Sequence, residues 1–195
     1  MKSELHKKLI SEIKRCNICN DLPLGPKPIF QFHPDAKILI IGQAPGVKAH
    51  ESGIPWNDAS GERLREWMGI EKEIFYNEKL ISLLPMGLCY PGKGVKGDLP
   101  PRRECFPYWH QRIITRMPLL KLIILVGNYS QSTYLKKEKK KSLTETVRSF
   151  HEYIPKFFPL PHPSPLNNIW LSKNRWFENE VLPELKLIIC KVLNV

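Results

Sequence analysis

The sequence predicts an α/β protein, a three-layer α/β/α sandwich around a central, mostly parallel sheet of four strands. Three observations favour this fold. Four short apolar runs have the length of buried strands, amphipathic segments lie between them, and turn-forming residues mark their boundaries. Strands that alternate with helices favour a parallel sheet covered on both faces. We find no internal repeat and expect one domain over residues 1–195.

Each predicted strand is an apolar run bounded by turn residues. The first follows a Pro-rich passage at 22–28, and Pro85 ends the second. The third is the most apolar in the chain, and the fourth directly precedes the segment PHPSP. The predicted strands are residues 37–41, 80–84, 122–126 and 156–160.

The predicted helices fill the intervals between the strands. Asp58 or Ser60 can cap the second helix, and a turn at 127–130 leads into the fourth. Two stretches, 47–60 and the Gly-, Pro- and Lys-rich 90–103, are expected to be irregular loops. The predicted helices are residues 3–15, 60–68, 108–116, 131–135, 144–149 and 173–187.

The charge of the chain indicates an anionic partner. Its 30 Lys and Arg residues against 19 Asp and Glu residues give a formal net charge of +11. A surplus of this size favours a polyanion through counterion release, although a basic surface also serves solubility. The densest run, residues 136–141, is either a solvated loop or a segment that follows phosphates.

No apolar stretch reaches the length of a membrane span, and the charged N-terminal segment lacks the apolar region of a signal peptide. We therefore expect a cytoplasmic monomer with no membrane partner. Disulfides are rare in that compartment, so metal chemistry explains the five cysteines better than pairing does.

Four of the cysteines form two pairs. Cys16 and Cys19 make a CxxC before the first strand, whereas Cys89 and Cys105 lie in loop-like sequence. Four thiolates can hold zinc or an iron–sulfur cluster, and the residues alone leave both open. Cys190 lies in the apolar run LKLIIC and is expected in the core.

Two loops carry the candidate site. Residues 42–46 (GQAPG) and 162–165 (HPSP) each follow a predicted strand, so both are expected at the carboxyl edge of the sheet, where such folds bind ligands. The first loop has neither a GxGxxG nor a Walker pattern. It offers exposed backbone amides and one polar side chain, Gln43, which can hold a carbonyl oxygen or orient a water.

Three residues after the first loop extend the predicted site. Trp56 can stack on a flat base, a contact worth about 1–3 kcal/mol, or it can anchor its loop to the core. Asn57 and Asp58 are the nearest polar groups. Capping of the next helix explains them without any catalytic role.

The second loop fixes a histidine between two prolines. A ring held in this way suits a residue that meets developing negative charge, so His162 is the main catalytic candidate. Ser164 can donate to a phosphate, and Leu166 can act as an apolar wedge in a base stack.

These motifs resemble those of the uracil-DNA glycosylase superfamily, with a layout closest to the iron–sulfur members known as family 4. Those proteins read approximately GEAPG, GxPFxGxxG and HPS, and this chain reads GQAPG, GIPWNDASG at 53–61 and HPSP. The interval between the first two motifs matches without a gap. The resemblance extends from Cys16 to about Trp170.

The resemblance implies a uracil-DNA glycosylase-like fold that acts on single- or double-stranded DNA and hydrolyses the glycosidic bond of a flipped-out deoxyuridine. It also implies a [4Fe-4S] cluster, with zinc or no metal as alternatives. The implied cluster ligands are Cys16, Cys19, Cys89 and Cys105.

The resemblance assigns the roles of family 4 residues to the matching positions of this chain. The resemblance implies that His162 stabilises charge on the uracil O2, that Trp56 takes the place of a stacking Phe, and that Ser164 with Leu166 engages the opened strand. The implied pocket-lining residues of the first loop are Gly42, Gln43, Ala44 and Pro45.

The chain departs from family 4 at positions that matter for chemistry. Gln43 stands where family 4 has Glu, and an amide cannot take a proton from water. Ala49 and His50 replace acidic residues, and Pro85 replaces the asparagine that reads the uracil edge. Asp58 can replace the missing acid by orienting water.

Three hypotheses remain open. The first is a monofunctional glycosylase for uracil or another deaminated base, since neither motif contains a lysine that could form a covalent intermediate. The second is a weakly active or inactive nucleic-acid-binding protein of the same fold. The third is a cluster-bearing protein that acts on free nucleobases.

Overall fold

A computed structural model of the chain describes residues 2–95 and 97–194. Within them, a four-stranded sheet has the order β2-β1-β5-β6 with all neighbours parallel, and β3 and β4 form a small antiparallel hairpin. The strands are β1 (Ile38–Ile41), β2 (Ile81–Leu83), β3 (Lys93–Gly94), β4 (Gly97–Asp98), β5 (Leu122–Val126) and β6 (Phe157–Leu160).

Helices connect the strands and cover the sheet. π-helical segments at Phe106–His110 and Phe177–Val181 lead directly into the fifth and ninth helices. No helix of the described residues is both long and apolar enough to cross a bilayer. The helices are α1 (Lys2–Lys14), α2 (Val47–Ser52), α3 (Ala59–Met68), α4 (Lys72–Phe75), α5 (Gln111–Ile114), α6 (Asn128–Leu135), α7 (Leu143–Arg148), α8 (Asn168–Lys173) and α9 (Leu182–Leu193).

The two faces of the sheet belong to two separate cores. Because successive side chains of a strand point to opposite faces, Ile38 and Ile40 pack with α3, α7 and α9, whereas Leu39 and Ile41 pack with α1, α5 and α6. All four β1 side chains are buried. This arrangement confirms the predicted three-layer α/β/α sandwich.

In three places the predicted secondary structure is wrong: two expected loops contain regular structure, and one expected helix is divided. The expected loop at 47–60 contains α2, which ends at Gly53 in the left-handed conformation. The expected irregular stretch at 90–103 contains the β3–β4 hairpin. The expected helix at 173–187 is instead the end of α8, a π-helical segment and then α9, whose first turn contains a proline.

The Lys-rich run at 136–141 lies at the amino ends of the strands. α6 begins just after the carboxyl end of β5 and leads back along the sheet to this run. The Tyr153 hydroxyl, close before β6, donates to the Glu138 carbonyl at 2.9 Å, and Lys140 pairs with Glu152 at 2.5 Å. Because the candidate loops lie at the opposite edge, the position of the run favours a solvated segment.

The sheet order fixes where a ligand can enter. The chain leaves β1 toward β2 and leaves β5 toward β6, so the connections diverge between the two central strands. In open α/β sheets the crevice at such a point, outside the carboxyl ends of the strands, is the usual binding site. Both candidate loops follow strands at this edge.

Candidate active site

A cavity of about 330 Å³ opens at the carboxyl edge of the sheet. Its volume is at the lower end of the range typical of small-molecule sites. The two loops, which are more than a hundred residues apart, meet in it. The sequence-predicted residues that line it are Gly42, Gln43, Ala44, Pro45, Trp56, Asp58, His162, Ser164 and Leu166.

The first loop is held by the segment that follows β2. Met86 N–H donates to the Gly42 carbonyl at 2.9 Å, and Gly87 N–H donates to the Gln43 carbonyl at 3.0 Å. The N–H groups of Gln43 and Ala44 have no backbone acceptor in the part of the chain that the structure describes. They are therefore available to donate to a ligand oxygen.

Trp56 is held in a strained backbone conformation. Its φ of 59° lies in the left-handed region, which costs a non-glycine residue about 1–3 kcal/mol. The Tyr76 hydroxyl donates to the carbonyls of Pro55 and Trp56 at 3.0 and 3.2 Å. Gly61 lets α3 approach, because a Cβ there would lie 1.8 Å from the Trp56 carbonyl oxygen. Such strain persists only where surrounding contacts compensate for it.

The indole of Trp56 bridges the two loops. A Cβ on Gly42 would lie 2.6 Å from Trp56 Cζ2, so the ring lies directly on the glycine. The Trp56 and His162 rings are stacked with centroids 5.8 Å apart at an interplanar angle of 30°. The ring is also half-buried against the core of the α3 face. The sequence left open whether Trp56 lines the site or anchors its loop to the core. In the structure the same side chain does both.

His162 has a defined tautomer. Ser164 N–H donates to His162 Nδ1 at 3.2 Å, so a neutral ring carries its proton on Nε2. Burial lowers the pKa of His162, and the nearby Asp58 carboxylate opposes this only in part. The ring is therefore neutral near pH 7 and its Nε2–H can act as a donor.

The second loop is clamped from two sides. Asn167 Nδ2 donates to the His162 carbonyl at 2.7 Å. Arg63, on α3, donates through Nη1 to the carbonyls of Pro163 and Ser164, each at 3.3 Å, and to Asn168 Oδ1 at 2.9 Å. These contacts fix the position of the histidine relative to the helix that also supports Trp56.

Ser164 and Leu166 lie at the rim of the cavity. Ser164 Oγ accepts from Leu166 N–H at 3.2 Å, so the hydroxyl caps a short 3₁₀ turn while its own proton remains free to donate. Leu166 is 80% exposed beside the cavity.

Asp58 serves two purposes with two oxygens. Oδ1 accepts from Gly61 N–H at 2.9 Å and caps α3, as the sequence predicts. Oδ2 lies 4.0 Å from the position that a Cβ on Gly46 would occupy, at the wall of the cavity. Asn57 is exposed and outside the set of residues that line the cavity, so its binding role stays a prediction.

A buried network fixes Pro85 at the floor of the site. His110 is fully buried, and its Nε2 lies 3.1 Å from the Pro85 carbonyl, which can only accept. His110 Nδ1 therefore accepts from the Tyr134 hydroxyl at 2.7 Å. Burial lowers the pKa of His110 to about 4, which keeps the ring neutral.

The four paired cysteines converge on a second, smaller cavity. Cys16, Cys19, Cys89 and Cys105 all line it. Burial raises the pKa of Cys89 to about 11 and that of Cys105 to about 12, and neighbouring cysteines of the set contribute to both increases. Leu88 N–H donates to Cys105 Sγ at 3.5 Å.

No group of three or more His, Cys, Asp or Glu side chains in the described residues is arranged to hold a metal ion. The metal at the cysteines thus stays a prediction. The expectation that Cys190 lies in the core is wrong: the thiol is exposed on α9, because the apolar face of that helix is formed by Leu185, Ile189 and Leu193.

Sequence reasoning missed Asp98, Asn167 and Arg63. Asp98 reaches the cavity from the β3–β4 hairpin, and its two-residue strands leave no periodic signal. Asn167 follows His162 by five residues, and its place two residues after the HPSP motif is a sequence signal that could have identified it. Arg63 contacts residues about one hundred positions away, and no local pattern indicates this.

A family model described as the uracil DNA glycosylase superfamily matches residues 29–186. The chain belongs to this superfamily. The matched range contains both loops, the β3–β4 hairpin and two of the four paired cysteines. The superfamily identity also accords with the fold derived above.

Among the proteins similar to this chain is a type-4 uracil-DNA glycosylase from Sulfurisphaera tokodaii. It is 24% identical over 143 residues, which cover 68% of this chain and 61% of that protein. The matched part of the chain thus spans less than two thirds of the relative's length.

Proposed function

We propose that this protein is a monofunctional DNA glycosylase that hydrolyses the N-glycosidic bond of uracil or another deaminated base flipped out of DNA and leaves an abasic site. The observation that carries this proposal is the pairing of a neutral His162, protonated on Nε2, with the Trp56 ring in one cavity. Membership of the superfamily supports it.

The cavity suits a planar base. The exposed part of the Trp56 ring offers a stacking surface, and the free N–H groups of Gln43 and Ala44 can donate to a base carbonyl. Pro85 presents no side-chain hydrogen bond at the position where family 4 reads uracil. Recognition therefore depends on backbone groups and shape, which favours a broader choice of base.

His162 supports departure of the base. Cleavage of the C1′–N bond leaves positive charge on the sugar and negative charge on the base, and a neutral Nε2–H donates to the base without giving up a proton. One such donor typically accounts for about 100- to 1000-fold in rate. None of the described residues that line the cavity is a lysine, so the site offers no amine for a covalent intermediate.

The residues at the rim of the cavity are suited to contact DNA. Leu166 is placed to enter the stack when a base leaves it, and the Ser164 hydroxyl is free to donate to a phosphate. The net charge of +11 adds a general attraction to the backbone. Asn57, exposed after Trp56, is assigned to the same DNA-facing surface.

The four converging cysteines suit a [4Fe-4S] cluster. A cluster takes one thiolate on each of four irons, so its ligand sulfurs need not meet at one point as they must around a single zinc ion. The Leu88 N–H at Cys105 Sγ is a hydrogen bond of the kind that tunes cluster sulfurs. The cluster would tie the segment before β1 to the segment after β2 and supply structural rigidity.

The experiment is a base-release assay on single- and double-stranded DNA that carries uracil, hypoxanthine or xanthine, alongside His162→Ala. Release that falls by about 100-fold or more in the variant supports the proposal. DNA affinity that falls steeply with salt but gives no release of any base contradicts it and favours the non-catalytic alternative.

A further inference from the structure

A carboxylate outside the two motifs enters the cavity. Asp98 ends the β3–β4 hairpin, in which Lys93 pairs with Asp98 and Gly94 pairs with Gly97. Leu99 N–H donates to the Gly92 carbonyl at 2.8 Å and closes the hairpin. Both Gly97 and Asp98 line the cavity, so the hairpin serves as one of its walls.

Asp98 and Asp58 approach the same point beside Gly46. A Cβ on Gly46 would lie 3.5 Å from Asp98 Oδ2 and 4.0 Å from Asp58 Oδ2. The absence of a side chain at Gly46 leaves this space open between the two carboxylates and the end of the first loop. Both carboxylates also line the cavity, so a water in the part of the cavity beside Gly46 can donate to either of them.

The two carboxylates differ in what else they bind. Asp58 already accepts from Gly61 N–H through Oδ1. Within the described residues Asp98 accepts no hydrogen bond and forms no ion pair, so both its oxygens are available. Burial raises the pKa of Asp98, the Asp58 carboxylate adds to this, and Lys93 opposes it. A carboxylate with a raised pKa is a better proton acceptor.

Asp98 and His162 enter from separated parts of the sheet edge. Asp98 lies at Gly46, which follows β1, whereas His162 follows β6, and β5 lies between those strands. Displacement at C1′ needs the attacking water and the departing base on opposite faces of the sugar. The water acceptor and the base donor lie at the ends of different strands, an arrangement compatible with that requirement.

We propose that Asp98 is the catalytic residue that binds and deprotonates the attacking water, in the role that the Gln43 amide cannot fill. The inference rests on the proposed glycosylase function. As the C1′–N bond breaks, its electron pair leaves on the base, and the water oxygen forms a bond to the positively charged C1′. One water proton passes to Asp98, which later releases it to solvent, and the base anion, held by His162, takes up a proton from solvent. Asp58 orients the same water through Oδ2.

The test compares wild type, Asp98→Asn, Asp98→Glu and Asp35→Asn in single-turnover base release from the best substrate of the panel. Asp98→Asn keeps the shape but cannot accept the proton, so release is expected to fall by about 100-fold or more. Asp98→Glu is expected to recover part of the rate. Asp35 is an exposed aspartate at the opposite sheet edge, so Asp35→Asn should match wild type.

Two further readouts separate catalysis from structure. The acidic limb of the wild-type pH–rate profile should disappear in Asp98→Asn. Affinity for DNA that carries an uncleavable abasic analogue, and the melting temperature, should stay close to wild-type values.

Each outcome is decisive. An active wild type with Asp98→Asn within about threefold of it overturns the role of Asp98 and leaves the glycosylase proposal standing. Equal losses in Asp98→Asn and Asp98→Glu, together with a lower melting temperature, also overturn it because they mark a structural role. A wild type that releases no base from any substrate overturns the proposed function and this inference with it.

Discussion

Gly42→Ala tests whether the Trp56 ring organises the site. The new methyl group would lie 2.6 Å from Trp56 Cζ2, whereas carbon atoms in contact are about 3.5–4.0 Å apart. The ring must therefore move by about 1 Å. It cannot move freely, because Tyr76 holds the backbone at Pro55 and Trp56 and Gly61 packs against the Trp56 carbonyl.

The size of the effect follows from these contacts. Overpacking of this kind costs about 1–3 kcal/mol, and loss of the Trp56–His162 stack adds about 1 kcal/mol. In a chain of this size each kcal/mol lowers the melting temperature by about 2–4 °C, so we expect a decrease of about 4–16 °C. A shift of about 1 Å in a positioning group also lowers the rate by about 100-fold.

Thermal denaturation followed by circular dichroism measures the first quantity, and single-turnover base release measures the second. Gly46→Ala is the matched stability control: its φ is −78° and its new Cβ would meet Asp98 Oδ2 at an ordinary 3.5 Å. Its stability should stay within about 1 kcal/mol of wild type. Unchanged melting and unchanged release in Gly42→Ala would refute the role assigned to the ring.

Three further predictions concern the supports of the site. Arg63→Met removes the donor that clamps the second loop, so kcat for base release should fall by about 10- to 100-fold with little change in KM. His110→Gln keeps a donor and an acceptor but cannot titrate. Because the unfolded chain protonates His110 near pH 6.5 and the folded one near pH 4, wild type should lose about 3 kcal/mol more unfolding free energy than the variant between these values. Cys105→Ser should lower iron and sulfide content and the visible absorption, whereas exposed Cys190→Ser should retain them.

Each of these predictions has a contradicting result. A rate in Arg63→Met equal to wild type would show that Asn167 alone holds the loop. Parallel pH dependences of unfolding in wild type and His110→Gln would mean that His110 is not buried in its neutral form. Zinc without sulfide in purified wild type would replace the cluster with the runner-up metal.

The four strands of the parallel sheet were predictable because each has a local signal, whereas the two-residue strands β3 and β4 have none. β5 is five consecutive apolar residues, and its bounds at 122–126 are those predicted. α2 has six residues and no periodic pattern, and it ends at a glycine that sequence reasoning assigned to the loop. The start of α9 is marked by Pro183, which a helix tolerates in its first turn but not in its interior.

Site residues were predictable only where they lie in a recognisable sequence motif. His162 and Trp56 lie in motifs, and the structure brings them together. Asp98 has no motif, because its place depends on how a short hairpin folds over the first loop. The two alternative roles of Asp58 could not be separated from sequence, because each uses a different oxygen of one carboxylate.

The most direct test of the glycosylase proposal is a quantitative product analysis with enzyme in excess over a DNA duplex that carries one uracil. The proposal predicts one free base and one alkali-labile abasic site for each DNA molecule, with no strand cleavage before alkali and no adduct trapped by borohydride. A full time course that yields neither free base nor abasic sites from uracil, hypoxanthine or xanthine substrates would contradict it.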